Sequence, residues 1–204
     1  MLNVEDLNSM HIDVLREIGN IGAGNAATAL ATMVGKKIDM EVPIVKILDY
    51  GDVAGILGGE ENVVAGVYFD VSGDITGNIL FLLDASSSKV LTGMLMGRED
   101  YLKELDEMDR SALQEMGNIL SGSYMSSLSA LTGLNLILSV PSLCIDMAGA
   151  ILSVPAIQFG YVSDKVLLIQ TELKDGNDLV KANFFLAPDA ETFGILLNSL
   201  GVYG

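Results

Sequence analysis

Between Asn8 and Ala29 apolar residues return every three or four positions, with Val14, Leu15, Ile18 and Ile21 on one side and Asp13, Glu17, Asn20 and Gly24 on the other. On a helix turning about 100° per residue, positions i, i+4, i+7 and i+11 fall within roughly 40–60° of one another. The pattern predicts an amphipathic helix with its back to a core. Asn8 is its expected N-cap, with Leu7 and Ile12 as a hydrophobic staple, and it runs through Ala29 and stops near Gly35. The same period returns where Leu113, Met116, Ile119 and Leu120 stand behind Ser111, Glu115, Asn118 and Gly122. Asp106 is the expected cap of this second helix, and Asp109 favours its positive end.

The segments after each helix alternate differently. Lys37–Leu48 reads as extended chain, with Pro43 marking an edge or a strand start. A turn follows at Gly58–Asn62. Val63–Val71 and Thr76–Leu83 then read as strands of a hairpin through Ser72-Gly73-Asp74, ahead of a helix at Ser87–Met96. The charged stretch Gly97–Asp109 is the expected connection to the second helix. Beyond it the order repeats, with strands near Asn135–Val140, Ile151–Tyr161 and Val166–Leu173, a turn at Lys174–Asp178, a strand at Lys181–Ala187 and a closing helix at Ala190–Leu200. Glu17 and Glu115, Asn20 and Asn118, Gly35 and Gly133, and Pro43 and Pro141 all lie 98 residues apart. An internal duplication follows, giving one domain built of two halves, about 1–97 and 98–204. Hairpins with flanking helices make the fold class α+β: a pseudo-two-fold antiparallel sheet with both motif-bearing helices on one face.

Composition narrows the function. The chain has 204 residues, half of them hydrophobic, and 27 acidic residues against 11 basic give a formal net charge of −16. That balance argues against nucleic acid and anionic membranes as partners and favours solubility or a basic partner. The uncharged interval Met116–Ile145 is interrupted by too many Ser, Asn and Thr residues and by Pro141 to cross a membrane. No signal peptide is visible, and a single cysteine, Cys144, fits a reducing compartment, so a cytoplasmic location is expected. Between Leu143 and Ile145 that thiol is expected to be buried. His11 is the one histidine and reads as an ordinary residue of a first helical turn, so neither a Cys-His pair nor a metal cage is expected.

Two chemistries remain to be weighed. Gly22-Ala-Gly24-Asn-Ala-Ala27 matches the dinucleotide-binding spacing, with Glu41 at about the distance of a ribose-binding acid. That fingerprint must follow a buried strand, whereas here it follows a charged helical stretch, so close helix packing is the better account of the small residues. The two polar stripes, D-x3-E-x2-N-x3-G and S-x3-E-x2-N-x3-G, hold no strong nucleophile and no metal set. An Asn amide can both donate to and accept from a water aimed at an electrophile, and a carboxylate can pair with a partner's lysine. The residues alone define a partner site with a capacity to position water.

The doubled pattern, with Glu-Ile-Gly-Asn-Ile-Gly-Ala-Gly-Asn-Ala-Ala-Thr around its first copy, resembles the CheC family of chemotaxis phosphatases over essentially the whole chain. Two motifs without an extra domain resemble CheC proper rather than single-motif CheX or domain-extended FliY. The resemblance implies hydrolysis of the aspartyl phosphate of the response regulator CheY. Asn20 and Asn118 would orient the water, Glu17 and Glu115 would anchor the regulator's lysine, and Asp13, Gly24, Ser111 and Gly122 would complete the motifs. It also implies no cofactor of the chain's own, the Mg²⁺ belonging to the regulator. A second implied partner is the receptor deamidase CheD, for which Leu143–Met147 and its lone charge Asp146 resemble the contact region. The alternative is a non-catalytic adaptor binding a response regulator, CheD or both. A monomer is expected, because the duplication already supplies the pairing of a dimer.

Overall fold

A computed structural model describes residues 9–35, 37–98, 104–159, 165–175 and 178–200. The first motif helix, α1 (Ser9–Val34), ends at Gly35, whose φ of 69° is the left-handed conformation that terminates a helix without a Cβ penalty. The second, α4 (Glu107–Thr132), has the same 26-residue length and ends likewise at Gly133 with φ 72°. It starts in a reciprocal capping box: Asp106 accepts from the Asp109 backbone N–H and Asp109 accepts from the Asp106 N–H. Asp109 is buried and is also held by Arg98, which ties the preceding segment to the start of α4. The Asn8 cap expected for α1 lies outside the described residues.

From α1 the chain runs through β1 (Asp39–Met40), β2 (Ile44–Asp49), the short α2 (Val53–Ile56), the hairpin β3 (Val63–Gly73) and β4 (Gly77–Asp84), and α3 (Ala85–Met96). After α4 come β5 (Leu136–Leu138), β6 (Ser142–Met147), α5 (Ala148–Phe159), the hairpin β7 (Lys165–Asp175) and β8 (Asp178–Pro188), and α6 (Ala190–Ser199). One eight-stranded sheet results, antiparallel at every pairing, with β1 and β2 on β7, then β8, β4 and β3, and with β5 and β6 on β3. The strands that follow each motif helix therefore pair with the hairpin of the other half of the chain. This is the expected α+β class.

The central strands are apolar on both faces because both are covered. In β4, Ile79, Phe81 and Leu83 join the core under α1, α3, α4 and α6, while Leu80 and Leu82 join the second core under α2 and α5. The alternation of a strand thus divides its residues between two layers. Both motif helices lie on the first of these faces, packed along each other. Glycine permits close approach: a Cβ on Gly22 would lie 2.3 Å from Cδ1 of Tyr124 in α4, and one on Gly117 would lie 2.8 Å from Cβ of Val67 in β3, so the first lets the helices meet and the second lets α4 sit on the sheet. Of the small residues of the first motif, Gly22, Ala23 and Ala26 serve packing, as their sequence context indicates, and Gly24 does not.

Three expectations are corrected. Ile151–Tyr161, read as a strand, lies in helix α5 as far as Phe159. Ala148, Ile151 and Leu152 are buried together, an i, i+3, i+4 pattern that covers the second face of the sheet, while the place beside β3 is already taken by β6. Cys144 is exposed rather than buried, since strand alternation turns Leu143 and Ile145 toward the first core and leaves Cys144 on the opposite side. Ile21 lies 38% exposed at the margin of the buried face of α1 rather than within it. His11 does sit in the first turn of α1, buried against the core.

Candidate active site

Glu17, Glu115 and Asn118 are exposed and Asn20 is half-buried, while Leu15 and Ile18 behind the first stripe and Leu113, Met116 and Leu120 behind the second are buried. Each stripe is therefore the outward side of a helix whose inward side is fixed by the core. Asp13 and Ser111, at the opening of each motif, are exposed as well.

The glycines of the motif helices fall into two kinds. Gly22 and Gly117 are required by packing, and Gly19 is tightly placed, since a Cβ there would lie 3.1 Å from Cγ of Pro43. Gly24 and Gly122 have nothing within 4 Å of a Cβ position. A glycine inside a helix costs about 0.5–1 kcal/mol relative to alanine, and nothing inside the molecule offsets that cost at these two positions. They leave bare backbone beside Asn20 and Asn118, open to an approaching surface.

The electrostatics separate the copies. In the first, Arg16 Nη1 lies 2.6 Å from Asp13 Oδ1, so the opening carboxylate already has a cation one turn away. In the second, the equivalents are Ser111 and Gln114, whose Nε2 instead donates to the Pro141 carbonyl at 2.8 Å. Among the described residues Glu17 and Glu115 have no ion pair, and Asn20 and Asn118 have no side-chain hydrogen bond. Each stripe thus presents one unpaired carboxylate and one unengaged carboxamide, three residues apart on one helical face. Among the described residues no cluster of three or more His, Cys, Asp or Glu side chains is arranged to hold a metal ion.

Asp146 is separate from both stripes. It lies exposed on β6, on the face of the sheet opposite the motif helices, beside exposed Cys144 and Met147. Next to it a cleft of about 380 Å³ opens between β3, β6 and α5, lined by Gly66, Tyr68, Cys144, Ile151 and Val154 among others. The hydroxyl of Tyr68 bonds to Asp70 at 2.6 Å, and burial together with that carboxylate pushes its ionisation well above the usual tyrosine value. The sequence reading missed this cleft; the periodicity of Ala148, Ile151 and Leu152 was the signal for the helix that walls it.

The chain belongs to the CheC-like family, matching it at residues 10–47 and 108–145, the two motif helices with the strands that follow them. It is 37% identical over 195 residues to the CheY-P phosphatase CheC of Bacillus subtilis (strain 168), covering 93% of each chain. The crystal structure of Thermotoga maritima FliY superposes with a TM-score of 0.76 at 27% identity, covering 96% of this chain and 98% of that one. The FliM middle domain from H. pylori, at 11% identity, a TM-score of 0.71 and coverage of 95% and 99%, shares the fold alone. No helix among the described residues is long and apolar enough to cross a membrane.

Proposed function

We propose that this protein is a phosphatase for the aspartyl phosphate of a CheY-type response regulator, with one site on each motif helix. The observation that carries this reading is the duplicated outward stripe, Glu17, Asn20 and Gly24 repeated as Glu115, Asn118 and Gly122, in which the glycines face open space. A helix bared in this way can be laid against a partner so that the carboxamide reaches the partner's phosphoryl group. Glu17 or Glu115 pairs with a lysine of the regulator, while Asn20 or Asn118 accepts a hydrogen bond from a water in line with phosphorus. That water attacks phosphorus, the bond from phosphorus to the aspartyl oxygen breaks, and the products are the free carboxylate, inorganic phosphate and a proton. An acyl phosphate is a good leaving system, so positioning is the main contribution asked of the protein. The Mg²⁺ at the phosphoryl group is the regulator's.

The name of the B. subtilis relative, a CheY-P phosphatase sharing 37% identity with this chain, supports the same substrate. The two halves, about 1–97 and 98–204, each carry one site in one monomer. A direct test adds the protein to a phosphorylated CheY-type regulator with Mg²⁺ and follows phosphate release. Acceleration above the regulator's own hydrolysis is the expected result, and binding without acceleration would leave the adaptor reading in its place.

A second surface takes a second partner. Exposed Asp146, with Cys144, Met147 and the adjoining cleft, offers an acidic anchor in apolar surroundings, and we assign it to the deamidase CheD. Asp146→Lys is expected to abolish a CheD complex in a pull-down while leaving the hydrolysis rate without CheD unchanged.

A further inference from the structure

Four pairs of exposed apolar side chains stand at the 98-residue offset; Met33 with Leu131 and Ile56 with Val154 differ in type, whereas Met10 with Met108 and Val42 with Val140 are identical. Met10 and Met108 are 61% and 65% exposed, and Val42 and Val140 are 70% and 84% exposed. Single exposed apolar residues are ordinary on a protein surface. A matched set is not, because neighbouring surface positions across the same offset have different identities: Arg16 and Gln114, Asn25 and Ser123, Glu41 and Ser139. The core does not require apolar side chains at the four positions, since each is mostly in solvent.

Their placement relates them to the stripes. Met10 precedes Asp13 by three residues and Glu17 by seven, and Met108 stands likewise before Ser111 and Glu115, so each methionine continues its stripe one turn upstream on the same helical face. The valines come from the loops before β2 and β6. Pro43, next to Val42, lies against Gly19, the residue before Asn20, and Pro141, next to Val140, accepts the hydrogen bond from Gln114, the residue before Glu115. Each polar stripe therefore has an apolar side chain at its upstream end and another on a loop whose proline is tied to its helix, Val140 also lining the cleft beside Asp146.

We infer that Met10 with Val42, and Met108 with Val140, form the apolar rim that grips the phosphorylated response regulator at each site, supplying affinity rather than chemistry. The inference rests on the phosphatase reading. The occupant is the regulator because the rim is continuous with the stripe that must meet its phosphoryl group. The arrangement matches the usual division at an interface, where apolar anchors supply binding around polar groups that fix orientation. Methionine, flexible and polarisable, suits a surface that must follow another protein's contour.

The test compares four chains on a phosphorylated CheY-type regulator with Mg²⁺, reading kcat, KM and Kd. These are the wild type, Met10→Ser/Met108→Ser, Val42→Ser/Val140→Ser, and the control Met33→Ser/Leu131→Ser, which removes exposed apolar side chains from the far ends of the same helices. Thermal melting verifies that each folds, which the exposure of every substituted residue favours. The rim variants are expected to raise KM and Kd by about 10-fold with kcat within twofold of wild type, and the control to change neither. KM and Kd within twofold of wild type in both rim variants, or an equal rise in the control, would overturn the rim. A wild type that leaves the hydrolysis rate unchanged would instead overturn the phosphatase reading, and Kd alone would then decide the rim by the same criterion.

Discussion

At the scale of single residues, the glycines of the motif helices separate structure from function. Gly22 and Gly117 face Tyr124 and Val67 at distances no Cβ tolerates, so Gly22→Ala and Gly117→Ala are expected to cost about 1–3 kcal/mol each through overpacking. Gly24 and Gly122 face open space, and Gly24→Ala and Gly122→Ala are expected to gain about 0.5–1 kcal/mol each. The latter pair should lower hydrolysis of the phosphorylated regulator even as they raise stability. Urea denaturation of the four variants measures the signs, and a loss of stability on Gly24→Ala would mean that the site glycines serve the fold. Cys144 yields a second prediction: exposed on β6, its thiol should react with a thiol reagent in the native protein as fast as in urea to within about tenfold. The stripe residues were legible in sequence because outward positions that repeat identity stand out against a core that repeats only character. The exposure of Cys144 was not legible from its neighbours Leu143 and Ile145, because in a strand adjacent side chains point apart.

At the scale of elements, α3 carries the clearest titratable contribution. Burial alone would push the Asp84 carboxyl up, but hydrogen bonds from the Ser86 hydroxyl and from the Ser87 N–H and hydroxyl outweigh it and hold the group below the usual carboxylate range. A folded pKa below the unfolded value of about 3.9 adds stability that is fully present above that value and is lost as pH falls through the folded pKa. Asp84→Asn should therefore be less stable than wild type at pH 7, with the difference shrinking below about pH 4; a difference independent of pH would contradict this. Helix ends, hairpins and the α4 cap were legible because Gly, Asp and turn residues act locally. Helix α5 was not, because a run such as Ile151-Leu-Ser-Val-Pro suits either a buried strand or a buried helix, and the choice is made by β6 already lying against β3.

At the scale of the whole molecule, the duplication is woven rather than stacked. β2 of the first half lies on β7 of the second, and β6 of the second lies on β3 of the first. The chain-order repeat was legible from the 98-residue offset, but the exchange was not, since pairing partners as distant in sequence as Ile44 and Gln170, or Tyr68 and Ser142, leave no local trace. Residues 1–97 alone would leave β3 without β6 and β2 without β7, and their buried side chains Val45 and Ala65 without cover. That fragment is expected to lack a cooperative thermal transition, while the full chain unfolds in a single one; a folded, cooperative fragment would contradict the woven account.

In the proposed reaction two outward carboxamides on one such molecule each position a water, and this role is open to direct measurement. It is tested most directly by phosphate release from a phosphorylated CheY-type regulator with Mg²⁺, measured together with regulator binding for wild type, Asn20→Ala, Asn118→Ala and the double variant. Partial loss is expected in each single variant and a loss of about 100-fold in the double variant, with binding retained. A double variant that hydrolyses as fast as wild type would contradict it.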